Sequence, residues 1–361
     1  MSWWTHSSAA TGPGYSRRNA FWRALISVAA LLQRRPLGSG PLVQAAAPRS
    51  QLPSADTVAA IDRGLDWLVS RQRPDGGFGR DDSYARNVGV CALSGLALLA
   101  SGGRRPFPDH VRRCTDYLLS RSQPNGFIVE EHVVTHAPLY GHGFATLFLG
   151  QVYGLDARPE LRHALSQASR YIVHAQGEHG RWWYTDDPAD ADVSITSCQL
   201  MALCSARQAG LAISRSVVDK AAVFLLGCQN PDGGFRYRMS DPPDSLFPRS
   251  AAAVAALHAA GWHGHSALAR AREYLSRSDG SSPAAGHAEY YFYGRFHATL
   301  AAWQAGGETW ERWYPAVCVE LLSRQSGDGS WQDSQIGHEY ATAMALLTLQ
   351  FPFDCVPQFA R

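Results

Sequence analysis

The stretch that decides the fold is QNPDGGF, residues 229–235, because QRPDGGF at residues 72–78 is nearly the same heptapeptide. Weaker copies occur at residues 122–127 (SQPNGF) and 325–331 (QSGDGSW). A motif that recurs along one chain predicts that one structural unit recurs with it. We therefore expect a repeated architecture over most of the chain.

The repeat has six units of about fifty residues each. An anchor residue precedes the glutamine, or its substitute, by five positions, and nine positions after the anchor five of the six units carry glycine. The fifth unit, with SRSDGSSPAAG, has lost the motif. The units fill residues 56–361 and predict one domain, preceded by a leader over residues 1–55. The six anchors are Trp67, Tyr117, Tyr171, Phe224, Tyr274 and Glu320.

Each unit holds two helical segments of different character. The segment before the turn is amphipathic, as in DTVAAIDRGLDWLVSRQ (56–72), with apolar residues on one face and charges on the other. The segment after the turn is apolar nearly all round, as in SAAAVAALHAA (250–260), so protein must surround it. Six such hairpins predict an all-α fold, a single (α/α)6 toroid in which outer helices alternate with inner ones.

The heptapeptide itself is predicted to be a turn at the end of the outer helix. Pro231 pre-sets the turn, Asp232 caps it, and Gly233 and Gly234 supply backbone angles that other residues avoid. It follows a helix rather than a strand, so it is not a phosphate-binding loop. The aromatic residue after the turn is expected to pack between neighbouring hairpins: Phe78, Phe127, Trp182, Phe235 or Trp331.

Composition excludes several classes of function. The net charge is only +2, without a basic stripe, which argues against nucleic-acid binding. Seven cysteines occur without a CxxC pair or a zinc-finger spacing, so neither a disulfide framework nor a metal site is expected. No apolar run is long enough for a transmembrane segment, whereas peripheral membrane contact stays open. We expect no cofactor.

The leader differs from the rest of the chain. SRRNAFWRALISVAALL (16–32) joins paired arginines to a short apolar run, and VQAAAP (43–48) offers a small-residue cleavage site. The pattern resembles a twin-arginine export signal, which would place the protein in the periplasm or cell envelope. The alternative is a disordered leader on a cytoplasmic protein.

An aromatic–aliphatic pair, then glutamine, then glycine-x-aromatic, resembles the repeat of squalene and oxidosqualene cyclases and of protein prenyltransferase β subunits. Over residues 56–361 the chain is similar to single-domain bacterial proteins of the prenyltransferase and squalene oxidase repeat family. The resemblance implies a terpenoid-cyclase-like protein that binds an apolar isoprenoid, with acid-initiated cyclisation as the leading hypothesis. It is carried by LYGHGFATLFLGQVYG (139–154), DADVSITSCQLMAL (190–203), FPRSAAAVAAL (247–257) and YYFYGRFHATLAAWQAGGETWERWYP (290–315).

The resemblance also places the pocket at the starts of the inner helices. Asp190 and Asp192, in DADV, resemble the Asp-x-Asp-Asp run of cyclases whose middle aspartate protonates an alkene, although the last aspartate is Val193 here. Asp192 is therefore the candidate acid, and His142 and Arg249 complete the candidate catalytic set. Side chains around the pocket would bind the substrate or supply aromatic faces for its cation: Tyr140, Trp183, Tyr184, Tyr291, Tyr293, His297 and Tyr340.

Structural roles are the alternative for the same residues. An aspartate at a helix start is an ordinary N-cap, and DVSI fits one. A histidine at a packed helix end is more often a hydrogen-bonded structural residue than a catalyst. Arg249 would pair with Asp192 or Glu339 across the ring, face solvent, or bind an anionic ligand.

Two other functions compete with cyclisation. A protein prenyltransferase would bind zinc through an Asp-x-Cys pair, which Asp244-Ser245-Leu246 lacks, so we reject that hypothesis. A toroid that binds a lipid or glycan without carbocation chemistry stays open, because WERWYP (310–315) and YYFYG (290–294) could stack on either ligand. Tyr293, His297 and Arg249 would also fit the chemistry of glycan lyases.

Overall fold

The computed structural model describes residues 52–79, 87–102, 104–130, 137–185, 191–277 and 290–353. The predicted export signal and Asp190 lie outside these residues. Within them, none of the helices is long and apolar enough to cross a bilayer. The outer helices are α1 (Ala55–Arg71), α3 (Pro108–Ser120), α5 (Pro159–His174), α7 (Arg215–Gly227), α9 (Ser266–Arg277) and α11 (Gly307–Arg324). The inner helices are α2 (Val88–Ala100), α4 (Pro138–Tyr153), α6 (Val193–Gln208), α8 (Phe247–Ala259), α10 (Tyr291–Ala305) and α12 (His338–Gln350).

The inner helices form a closed ring. Each packs against the inner helix before it and the one after it, and α12 packs against α2, so the all-α toroid is confirmed. Every residue of α2 is buried, as expected of a helix without a polar face, whereas α1 buries only one side. Because every unit runs from outer helix to turn to inner helix, all six inner helices begin at the same end of the ring.

Two features of the turn require glycine: its backbone angle and its close contact with the next outer helix. Each turn glycine has a φ between 82° and 94°, a region that favours glycine. A Cβ atom on any of them would lie 2.3 to 2.7 Å from a backbone oxygen of the next outer helix, closer than real Cβ contacts allow. The turn therefore joins one unit to the next as well as reversing the chain. These glycines are Gly76, Gly126, Gly180, Gly233 and Gly329.

The glutamine of the motif fastens the same joint. Its side-chain amide donates to the carbonyl of the turn glycine and to a carbonyl in the next outer helix. The acceptors in that helix belong to His110 for Gln72, Val217 for Gln176, Ala267 for Gln229 and Ala60 for Gln325. The last of these bonds connects the sixth unit to the first and closes the outer layer.

A buried side chain two positions after the turn glycine fills the space between hairpins. Phe78, Trp182, Phe235 and Trp331 are all fully buried there. In the second unit Phe127 also contacts both hairpins, through His142 and Tyr171, but it is not the fully buried residue. The buried residue is Ile128, which stands in register with the others, whereas the half-buried ring of Phe127 stacks on Tyr171 with 4.7 Å between centroids.

Candidate active site

His142 has a structural role, because both of its ring nitrogens contact backbone groups of neighbouring segments. The backbone N–H of Ile128 donates to its Nδ1 at 3.0 Å, and its Nε2 lies 3.2 Å from the carbonyl oxygen of Ala168. In other units a hydroxyl occupies the same place: Thr196 accepts from Trp182 and Thr342 accepts from Trp331. Burial lowers the pKa of His142 to about 4, so the ring is neutral. Nδ1 thus connects the turn to the inner helix of the same unit, and Nε2 connects that helix to the outer helix of the next unit.

Asp192 caps the inner helix α6. Its Oδ1 accepts hydrogen bonds from the backbone N–H groups of Ser194 at 2.6 Å and Ile195 at 3.1 Å. The side chain is completely buried, and its Oδ2 has no hydrogen-bond partner of good geometry among the described residues. Burial raises the pKa of the carboxyl, while the helix N–H groups and nearby phenols oppose the rise. Asp192 is therefore a helix cap through Oδ1, and its buried Oδ2 takes no part in the capping.

Two tyrosines stand beside the Asp192 carboxyl. The hydroxyls of Tyr184 and Tyr237 are hydrogen-bonded to each other, and both phenols interact with the carboxyl. Backbone bonds from Val193 N–H to the Tyr237 carbonyl (3.0 Å) and from Leu139 N–H to the Tyr184 carbonyl (3.1 Å) hold their segments against the helix starts. Burial raises the pKa of Tyr237 to about 12, so its phenol stays protonated at neutral pH.

Tyr237 is the residue that the sequence analysis missed. It lies two positions after the buried Phe235, just as Tyr184 lies two positions after the buried Trp182. Tyr184 and Tyr237 each lie four positions after the turn glycine, so this shared position is the sequence signal that points to Tyr237.

Tyr140 on α4 and Tyr293 on α10 complete the group around Asp192. Burial raises the pKa of both phenols, and the Asp192 charge raises each further. Helices α6 and α10 are not neighbours in the ring, so this interaction reaches across its centre. Both tyrosines are partly buried, and both lie near enough to Asp192 to be affected by its charge. The Tyr293 hydroxyl has no hydrogen-bond partner among the described residues.

Arg249 is not paired with Asp192 or with Glu339. Its Nε donates to the Phe235 carbonyl at 2.9 Å and its Nη2 to the Asp244 carbonyl at 2.5 Å. Glu339 is instead bonded to Arg71, at 3.0 Å. Pairing across the ring, one of the alternatives left open for Arg249, is therefore wrong, and the guanidinium instead holds the segment that carries Tyr237.

The remaining candidates have separate surroundings. Trp183 stacks on Tyr184 with 4.2 Å between ring centroids. The ring of Tyr291 faces the outer layer, beneath the Arg324 guanidinium at 4.2 Å. The buried His297 places Nδ1 2.9 Å from the Tyr293 carbonyl of its own helix, and burial lowers its pKa to about 4.

Tyr340, buried at the start of α12, contributes to the electrostatic surroundings of Tyr293.

Within the described ranges no three His, Cys, Asp or Glu side chains are grouped as a metal site would require.

Comparison with known proteins gives a family and several relatives. The sequence profile described as "Prenyltransferase alpha-alpha toroid domain" matches residues 41–145 and 140–289. A drimenyl diphosphate synthase from Streptantibioticus cattleyicolor is 30% identical over 201 residues, which are 53% of this chain and 34% of the synthase. The chain therefore spans about a third of the length of the curated relatives it matches.

Solved structures share the fold at low sequence identity. The type II terpene cyclase MstE from Scytonema is 14% identical with a TM-score of 0.57, covering 86% of this chain and 100% of that structure. Cellobiose 2-epimerase from Spirochaeta thermophila is also 14% identical, with a TM-score of 0.62 and coverage of 95% and 99%. At these identities the structures show the toroid fold alone.

Proposed function

Because the chain belongs to the prenyltransferase alpha-alpha toroid domain family and its curated relatives are drimenyl diphosphate synthases, we propose that it binds an isoprenoid and cyclises it by protonation. Asp192 is the acid. The observation that carries the proposal is the buried carboxyl whose Oδ1 is held by two helix N–H groups while Oδ2 is left without a partner among the described residues.

The carboxyl suits proton transfer to a carbon–carbon double bond. Burial favours its neutral form, and the hydrogen bonds on Oδ1 stabilise the carboxylate that remains once the proton has left. A proton on Oδ2 would form a new C–H bond as the π bond breaks, leaving a carbocation. Where cyclases have a further aspartate this chain has Val193, and the phenols of Tyr184 and Tyr237 are the polar neighbours instead.

The aromatic faces of Tyr140 and Tyr293 would stabilise the cation as rings close. Both lie near the Asp192 carboxyl, and both phenols stay protonated because burial raises their pKa. Loss of a proton from the last cation gives a product isomeric with the substrate, so the reaction class is an isomerisation. Squalene and polyprenyl diphosphates are the substrates to test, the latter because of the relatives' name.

Conversion of added substrate tests this proposal. The full chain is incubated with squalene, farnesyl diphosphate or geranylgeranyl diphosphate, and products are identified by mass spectrometry after extraction and, for the diphosphates, phosphatase treatment. We expect an isomer of one substrate from the wild type and none from Asp192→Asn. An Asp192→Asn variant as fast as the wild type, or a wild type that neither binds nor converts any of the three, would contradict it.

A glycan-directed activity has less support from the described residues. It required Tyr293, His297 and Arg249 to act together, but Arg249 is bonded to backbone carbonyls of the segment after Phe235. His297 bonds within its own helix. The likeness to cellobiose 2-epimerase is one of fold alone.

A further inference from the structure

The joint between the fifth and sixth units differs from the others. Elsewhere the acceptor of the glutamine amide lies seven positions before the next anchor, as His110 does before Tyr117. The turn glycine packs against the residue four positions before that anchor, as Gly76 does against Arg113. Counted back from the anchor Glu320, the two corresponding contact positions on α11, called seats below, are Trp313 and Ala316. Neither glutamine nor turn glycine exists in the fifth unit to fill them.

A groove of about 330 Å³ lies at this joint, and both seats line it. It runs between the outer helices α9 and α11, with α10 beneath. Small residues of α10 form its floor. The apolar part of the lining is Leu275, Ala298, Ala301, Ala302, Trp313, Ala316 and Val317.

The groove carries excess positive charge. Arg272, Arg295, Arg312 and Glu320 all line it. Glu320 forms an ion pair with the buried Arg295, whose guanidinium donates a hydrogen bond to it at 2.8 Å. Neither Arg272 nor Arg312 makes an ion pair with any residue in the described part of the chain, so two guanidinium groups stand over an apolar floor. Guanidinium groups bind phosphate oxygens well because their N–H donors match that geometry.

We propose that this groove binds one molecule of an amphiphile that has a hydrocarbon chain and a phosphate headgroup. The chain lies on the alanines of α10, and Arg272 and Arg312 bind the headgroup. The site is distinct from Asp192, because Ala298 and Ala301 face the outer layer whereas Tyr293 of the same helix faces the ring centre. A groove of about 330 Å³ between two helices fits a single hydrocarbon chain rather than the surface of a membrane.

Calorimetric titration of the full chain with dodecyl phosphate, below its critical micelle concentration, tests the proposal. Arg272→Glu/Arg312→Glu reverses the two charges, and Ala316→Trp fills the groove from its exposed edge without changing charge. Arg162→Glu/Arg170→Glu is the matched control, because these two arginines are exposed on α5 and make no ion pair within the described residues. Circular dichroism checks that each variant and each complex is folded.

We expect the wild type and the α5 control to bind dodecyl phosphate equally, and the two groove variants to bind at least about tenfold more weakly. Dodecanol and inorganic phosphate should each bind more weakly than the amphiphile. Equal binding of inorganic phosphate, undiminished binding by both groove variants, or binding only to phosphatidylglycerol vesicles would overturn the proposal. Asp192→Asn should bind dodecyl phosphate like the wild type, so failure here does not bear on the cyclisation proposal.

Discussion

His142 and Asp192 lie at the starts of neighbouring inner helices, and both are completely buried, yet their surroundings differ in one respect. Both ring nitrogens of His142 are engaged with backbone groups. Only one oxygen of Asp192 is engaged in this way, and the other faces phenols at the ring centre. Burial alone therefore does not distinguish a site from a framework residue in this toroid; incomplete hydrogen bonding does.

The Oδ2 atom of Asp192 lies beside two phenols but has no well-aligned hydrogen bond among the described residues. Incomplete hydrogen bonding of a buried polar atom destabilises the folded state, by up to about 1–3 kcal/mol. A framework position would avoid that cost, as Thr196 and Thr342 do with their hydroxyls. The cost at Asp192 is consistent with a group kept for chemistry.

Removing only the acid should have the largest effect. Asp192→Asn keeps the helix cap, since asparagine caps as well as aspartate, but has no proton to give. We expect turnover to fall about 10²–10⁴-fold with little change in stability.

Asn87→Ala is the matched control, because Asn87 caps α2 with two similar bonds, at 2.8 and 3.2 Å. It should cost about 1 kcal/mol of stability and leave turnover intact. If Asp192→Asn turned over substrate as fast as the wild type, Asp192 would be a helix cap and not the acid.

Substitution of His142 should affect stability instead of turnover. His142→Ala strands the Ile128 N–H and the Ala168 carbonyl and leaves a cavity, so we expect a loss of about 2–4 kcal/mol in urea unfolding. His142→Thr, which copies the hydroxyl of other units, should lose less. Turnover per folded molecule should be unchanged in His142→Thr, and a large loss there would make His142 catalytic.

The same histidine should make the fold sensitive to acid. Its pKa is about 4 when folded, below the ordinary value of 6.5, so protons bind the unfolded chain more readily in this range. The stability it contributes is present above pH 6.5 and falls, on the order of 3 kcal/mol, as the pH drops towards 4. His142→Thr should flatten stability between these pH values, measured by denaturant unfolding. An unchanged slope would show that the ring titrates normally.

The smallest effect is expected from the phenol beside the acid. The Tyr237 hydroxyl lowers the pKa of Asp192, so Tyr237→Phe should raise that pKa further, as seen by ¹³C NMR of labelled aspartate. Tyr184→Phe should act in the same direction but less, because its contribution ranks below that of Tyr237. A lowered pKa in either variant would mean that the phenol does not stabilise the carboxylate.

The repeat and the two kinds of helix were predictable because they depend on local patterns: glycine where φ is positive, and apolar residues on every side of an inner helix. Asp192 as a cap was equally predictable. The bonding of His142 and Arg249 was not, because each contacts a turn or helix of another segment. Ile128 was missed because the aromatic Phe127 beside it was preferred to the residue in register with the other units, and Tyr237 because the positions beyond the buried residue were not compared between units.

The measurement that tests the central claim most directly is the pKa of Asp192 in the full chain without ligand, by ¹³C NMR of labelled aspartate carboxyls, with Asp192→Asn identifying the resonance. A buried acid predicts a value above the ordinary one of about 3.9. A value at or below it would contradict the account, because the helix N–H groups would then outweigh burial and Asp192 would be an ionised cap.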